Sequence, residues 1–122
     1  MVTLTSDQRD RAGGVLLGAA CGDALGVPYE FAARLPESSV PTMIGGGLGP
    51  YAPGEYSDDT QMQACVAQVA ARGHGLRSEL ALDGVAVRFM RWYREGARDI
   101  GAQTRQVLAT VDRTGGMSST MR

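Results

Sequence analysis

Ser57-Asp58-Asp59-Thr60 sets two hydroxyls and two adjacent carboxylates side by side. All are hard oxygen donors, the set that suits a cation such as Mg²⁺ or Mn²⁺, which takes carboxylate and hydroxyl ligands and keeps several waters. The same residues also have a structural use. Ser57 is a good helix N-cap, and Asp58 and Asp59 would fall in a first turn, where exposed amides and the positive dipole end favour carboxylates. Capping accounts for one or two of the four residues and leaves the others without a task. Two more acids stand upstream. Asp23 ends an apolar segment and reads as a cap, a supporting residue or a plain solvent-facing aspartate. Glu30, between Tyr29 and Phe31, has the spacing of an alternating surface stretch.

These residues need elements to hold them. Thr5 and Gln8 have capping-box spacing, which starts a first helix near Ser6 and runs it to about Leu25. Pro28 stops it, because proline lacks an N–H and disfavours helical geometry in the residue before it. Along this helix Gly14, Gly18, Gly22 and Gly26 recur every four residues and lay a side-chain-free groove for a packed helix or a ligand. After Ser57, the positions Met62, Cys65, Val66, Val69 and Ala70 form an i, i+3, i+4, i+7, i+8 stripe, ended by Arg72-Gly73. Ser78 caps a third helix with Leu82, Val85, Ala86, Phe89, Trp92 and Tyr93 on one face, ending at Gly96. Asp99 begins a fourth through Val107, Leu108 and Val111, closed by Gly115-Gly116. The turn at Arg72 to Gly75 carries His74, the only histidine, which is assigned no role.

Between the first two helices, residues 34–55 read as loop. Pro36, Pro41, Pro50 and Pro53 alternate with Gly45, Gly46, Gly47 and Gly49, a density of breakers that excludes a long helix or a central strand. The glycines could form an anion nest, a lid or a connector; the Lys and Ser/Thr of a P-loop do not follow them. The fold class is all-α, about four helices with one long Gly/Pro-rich loop, and no βαβ alternation.

Two linked segments give a resemblance. Gly22-Asp23-Ala24-Leu25-Gly26 with Glu30 shortly after, followed by Gly54-Glu55-Tyr56-Ser57-Asp58-Asp59-Thr60, resembles the ADP-ribosylglycohydrolase family, which includes the dinitrogenase reductase-activating glycohydrolase. Trp92-Tyr93 with Asp99-Ile100-Gly101 is similar too, and the closing Met121-Arg122 dimly so. The resemblance implies that residues 1–122 are the N-terminal part of one such multi-helix domain. It also implies removal of ADP-ribose from a modified protein side chain or an ADP-ribose-containing small molecule. A pair of Mg²⁺ or Mn²⁺ ions would be held in part by Ser57, Asp58 and Asp59. Glu30 would be a metal-linked acid/base or gate, and Asp23 and Thr60 would support the site or bind substrate. The family completes its metal site with an Asp-x-Asp-Thr motif, and this sequence contains no Asp-x-Asp.

Composition narrows the rest. With 122 residues the chain has the mass of one domain or part of one. Its 12 basic residues nearly balance 13 acidic ones and are scattered, so no nucleic-acid or membrane-surface footprint is expected. The apolar run from Ala12 to Gly22 is too short to span a bilayer, and Asp7, Arg9 and Asp10 are unlike a signal peptide. Cys21 and Cys65, on apolar helix faces, are expected as small buried hydrophobes of a reducing cytoplasm. With helices that would cover the apolar stripes lacking, exposed hydrophobic surface and poor solubility are expected.

Two functions of different classes follow: part of a hydrolase that acts once the remaining ligands are supplied, or an inactive remnant serving as a weak ADP-ribose or metal binder or a helical interaction domain. Without the resemblance, the chain reads as a small helical domain whose Ser57 to Thr60 only cap a helix.

Overall fold

A computed structural model of the chain describes residues 3–73 and 75–114. His74 and the Gly115-Gly116 and Met121-Arg122 signals lie outside those residues. The described residues form four α-helices: α1 (Ser6–Gly26), α2 (Asp58–Ala70), α3 (Glu79–Arg94) and α4 (Ala102–Thr114). They contain no named strand, so the all-α expectation holds. The chain divides into two compact units, Met1–Gln63 and Ala64–Arg122.

In the first unit, α1 begins as its sequence requires. The Gln8 amide donates to Thr5 Oγ1 (3.2 Å) and the Thr5 amide to Gln8 Oε1 (2.9 Å), a reciprocal capping box. Pro28 sits in a 3₁₀ turn, Val27–Tyr29, which ends the helix. The Tyr29 hydroxyl then reaches the loop, donating to the Thr42 carbonyl and accepting from the Thr42 amide, both at 2.9 Å. A tight antiparallel bridge closes the loop further on, with Gly46 N to Tyr51 O at 2.7 Å and Tyr51 N to Gly46 O at 2.9 Å. Gly47 is required as glycine twice over. Its φ of 68° is left-handed, and a Cβ there would overlap the Val27 carbonyl oxygen. The loop is therefore a folded connector that packs on the end of α1. Its core is small: Ala24, Val27 and Tyr51, with Ser57 and Thr60 as buried polar members.

The glycine-bearing face of α1 differs from what its composition suggests. Val15 and Leu17 are 66% and 69% exposed, and among the described residues no atom beyond the helix's own neighbouring backbone comes within 4 Å of a Cβ built on Gly14, Gly18, Gly22 or Gly26. Cys21 is exposed rather than buried, a correction with the same cause: among the described residues no element covers that face. Cys65 is half-buried, and burial pushes its thiol pKa up against the opposing field of Arg88.

In the second unit the core is Val69, Ala81, Met90, Ile100 and Leu108. The expected stripes are shifted: Ala70 and Leu82 are exposed, while Ala81 and Met90 are buried. Gly84 of α3 faces the Val69 side chain, where a Cβ would sit 3.5 Å from Cγ2, an ordinary van der Waals contact. Arg88 Nε donates to Gln68 Oε1 at 3.1 Å, and Arg94 pairs with Asp112 at 2.6 Å across α3 and α4. The fourth helix starts at Ala102 rather than Asp99. Asp99 has φ 53°, a left-handed turn that aspartate tolerates, and this turn carries Ile100 into the core.

Candidate functional site

The side chain at the centre of the candidate site is Asp23, one turn before the end of α1. Its carboxylate accepts four hydrogen bonds from the start of α2. Oδ1 takes the Ser57 hydroxyl at 2.6 Å, while Oδ2 takes the Thr60 hydroxyl at 2.6 Å, the Ser57 amide at 2.9 Å and the Thr60 amide at 3.1 Å. Partial burial of Asp23 pushes its pKa up. The hydroxyls of Ser57 and Thr60 and their two amides outweigh that effect and hold it below the ordinary carboxylate value.

This geometry corrects the reading of Ser57 as an N-cap in its own right. Ser57 does stand at the cap position, since its carbonyl accepts the first α2 bond from the Gln61 amide at 3.2 Å. A capping serine would take the amide of N2 or N3 with its side chain. Here the N3 amide, Thr60, goes to Asp23 and the Ser57 hydroxyl becomes a donor to the same carboxylate. The cap of α2 is thus provided from α1, 37 residues upstream of Thr60. Burial makes the arrangement necessary, because Ser57 is 5% and Thr60 9% exposed and their polar groups have little water to turn to.

Asp58 and Asp59 follow in the first turn, half-buried and exposed respectively. Glu30 lies just past the 3₁₀ turn, exposed, in extended backbone with φ −61° and ψ 125°. Asp23, Ser57 and Thr60 are therefore brought together by the fold, and Asp58 and Asp59 stand next to them in the chain. Among the described residues no three acidic, histidine or cysteine side chains converge as a metal-binding group. In kind, Ser57, Asp58 and Asp59 fit a hard cation; in number they make only part of a coordination shell. The central role of Asp23 had one sequence signal, its place in the Gly22-Asp23-Ala24-Leu25-Gly26 segment that carries the family resemblance, and nothing in the spacing marked Ser57 and Thr60 as its partners.

The family model for ADP-ribosylglycohydrolase matches residues 4–122. The chain belongs to the ADP-ribosylglycohydrolase family. Among curated family members, it is 40% identical over 114 residues to "ADP-ribosylarginine hydrolase Tri1" of Pseudomonas putida (strain GB-1), an overlap of 87% of this chain and 29% of that protein. With the protein of the same name from Serratia proteamaculans (strain 568) it is 37% identical over 110 residues, 84% of this chain and 29% of the relative. With ADP-ribosyl-(dinitrogen reductase) glycohydrolase of Rhodospirillum rubrum it is 32% identical over 102 residues, 80% of this chain and 33% of the relative. The chain spans about three tenths of the length of these ADP-ribosylglycohydrolases. No helix of the described residues is long and apolar enough to cross a membrane.

Proposed function

We propose that residues 1–122 form part of one ADP-ribosylglycohydrolase domain, and that the whole protein cleaves ADP-ribose from a modified side chain by metal-assisted hydrolysis. The names of the relatives support a protein substrate, with ADP-ribosylarginine the first linkage to try. The observation that carries the reading is the Asp23 tie. It relieves Ser57 of the capping role at the start of α2, where Asp58 and Asp59 follow it directly in the chain.

In this reading Ser57, Asp58 and Asp59 hold Mg²⁺ or Mn²⁺, and Thr60 supports the turn. A bound divalent cation would fix the ribose hydroxyls and lower the pKa of a water. Breaking a glycosidic bond builds positive charge at the anomeric carbon, which nearby carboxylates stabilise. Glu30 takes the acid/base or gating role that the family resemblance implies, and its exposed place just after α1 leaves it accessible to substrate. The ligands that the chain's residues lack would come from the Asp-x-Asp-Thr part of the domain.

Calorimetric titration of the chain with Mn²⁺ and then ADP-ribose tests the half-site. Binding by the wild type that disappears in Asp58→Ala/Asp59→Ala is the expected result; binding unchanged in that variant refutes the assignment. A second reading starts from the described residues, among which no three acidic, histidine or cysteine side chains converge: the chain as it stands is a weak ADP-ribose or metal binder, or a helical interaction module, without catalysis. Mn²⁺ and ADP-ribose binding with no release of ADP-ribose from ADP-ribosylated protein, even after a family segment carrying Asp-x-Asp-Thr is supplied, would favour it.

A further inference from the structure

We propose that Asp23 is the positioning residue of the cation site, acting on the metal through Ser57; this rests on the half-site assigned above. A serine hydroxyl has one proton and two lone pairs and rotates freely in water. Here the proton is committed to Asp23 Oδ1 at 2.6 Å, a short bond to an ionised acceptor, so the hydroxyl offers only lone pairs to any other neighbour. That is the state in which a neutral serine can ligate a cation. Two further features make the orientation rigid. Oδ2 of the same carboxylate holds the Ser57 and Thr60 amides, so the backbone carrying the hydroxyl cannot turn. Ser57 is buried, which limits competition from water for the proton.

A carboxylate near a cation could act by charge alone, and a carboxylate at a helix start could act by capping alone. The three roles separate by substitution. Asp23→Asn keeps the size but replaces one acceptor oxygen with a donor. Asp23→Glu keeps the charge and both acceptors but displaces them by one methylene. Ser57→Ala removes the oriented hydroxyl and leaves both amide bonds to Asp23. Ser78→Ala makes the same deletion at the cap of α3, outside the site.

The experiment is Mn²⁺ titration of the full chain, read from the electron paramagnetic resonance of free Mn²⁺, with far-ultraviolet circular dichroism to check folding. Asp23→Asn, Asp23→Glu and Ser57→Ala are each expected to weaken Mn²⁺ binding by about tenfold or more, the usual consequence of losing a residue that orients a ligand. The Asp23→Asn/Ser57→Ala double variant should be no weaker than the worse single one, because both remove the same interaction. Ser78→Ala should bind as the wild type does. Wild-type affinity in Asp23→Glu means charge alone suffices and overturns the proposal. So do additive losses in the double variant, or undiminished binding by folded Asp23→Asn. If Asp23→Asn fails to fold, Asp23→Glu decides. No Mn²⁺ binding by the folded wild type overturns the half-site itself and the positioning role with it. Loss in Asp58→Ala/Asp59→Ala with no loss in the Asp23 variants keeps the half-site and rejects only the positioning role.

Discussion

α2 and α3 open on the same local signature, a serine followed by acidic residues: Ser57-Asp58-Asp59 in one and Ser78-Glu79 in the other. In α3 the serine does what its type predicts. The Ala81 amide donates to Ser78 Oγ at 3.3 Å, and the hydroxyl donates to the Gly75 carbonyl at 2.8 Å, all within one turn of chain. In α2 the equivalent amide is taken by Asp23, and the serine hydroxyl, a donor in both helix starts, gives its proton to that distant carboxylate instead of to a carbonyl three residues back. A local cap suffices for a helix that only has to start. Bringing an aspartate from another helix to do the same work adds a second constraint, a serine hydroxyl bound to a carboxylate of another element and released from its own helix amide, which a structural start does not need. The difference separates a helix end that is merely finished from one that is arranged.

The comparison breaks most visibly at Asp23. Asp23→Ala leaves two hydroxyls and two amides facing the position of the lost carboxylate, two residues being nearly buried. At 1–3 kcal/mol for each unsatisfied buried group, after partial relaxation, the α1–α2 junction should lose about 3 kcal/mol. Urea unfolding followed by circular dichroism would read this as a lower midpoint, and an unchanged midpoint would mean that the tie adds nothing to stability.

A smaller effect sharpens the contrast between the two serines. Aspartate is as good an N-cap as serine, so Ser78→Asp should change stability by no more than about 0.5 kcal/mol. Ser57→Asp places a second carboxylate against Asp23 and removes a donor, and should cost about 2 kcal/mol through like-charge repulsion and a lost hydrogen bond. Equal thermal midpoints for the two variants would show that the two helix starts are equivalent after all.

The smallest effect is a pH dependence confined to one helix start. The folded state holds the Asp23 carboxyl below its ordinary value. Ionisation therefore stabilises the fold: the contribution is complete above the unfolded value of about 3.9 and is lost as pH falls through the lowered folded value. On acidification below about pH 4, the protection of the Thr60 amide, measured against its intrinsic exchange rate at each pH, should fall in the wild type. Asp23→Asn should show no such step, and the cap of α3, made by a neutral serine, should show none at Ala81.

Much of the fold was legible because it is written locally. Thr5 and Gln8, Pro28, Gly73, Ser78 and Gly96 each act on residues within one turn, so their meaning survives without knowledge of the tertiary structure. The misreadings share a different origin. Cys21 was expected to be buried because it lies on an apolar face, but apolarity states what a face can bury and not whether a partner is present. Asp99 has the composition of a helix start, but its backbone is left-handed, the buried Ile100 follows it, and the helix begins only at Ala102. The candidate site divides in the same way. Ser57 to Thr60 could be recognised as oxygen ligands from residue type alone. That Asp23 organises them could not be deduced from spacing, because the tie joins positions 34 and 37 residues apart and leaves no periodicity in the chain.

The two-way bond between Tyr29 and Thr42 has a consequence for how the chain reaches this state. Closing a flexible loop costs entropy that grows with the logarithm of its length, roughly 0.6 kcal/mol for each doubling. Asp23 and Ser57 bound a span of 34 residues, but Tyr29 and Thr42 close 13 of them and the Gly46–Tyr51 bridge folds the segment that follows. Once those short closures exist, only brief connectors remain between the two ends of the span. The favoured order of assembly is then the bridge first, the tyrosine tie next and the aspartate last, so the contact on which the proposed chemistry depends forms when the least freedom is left to lose.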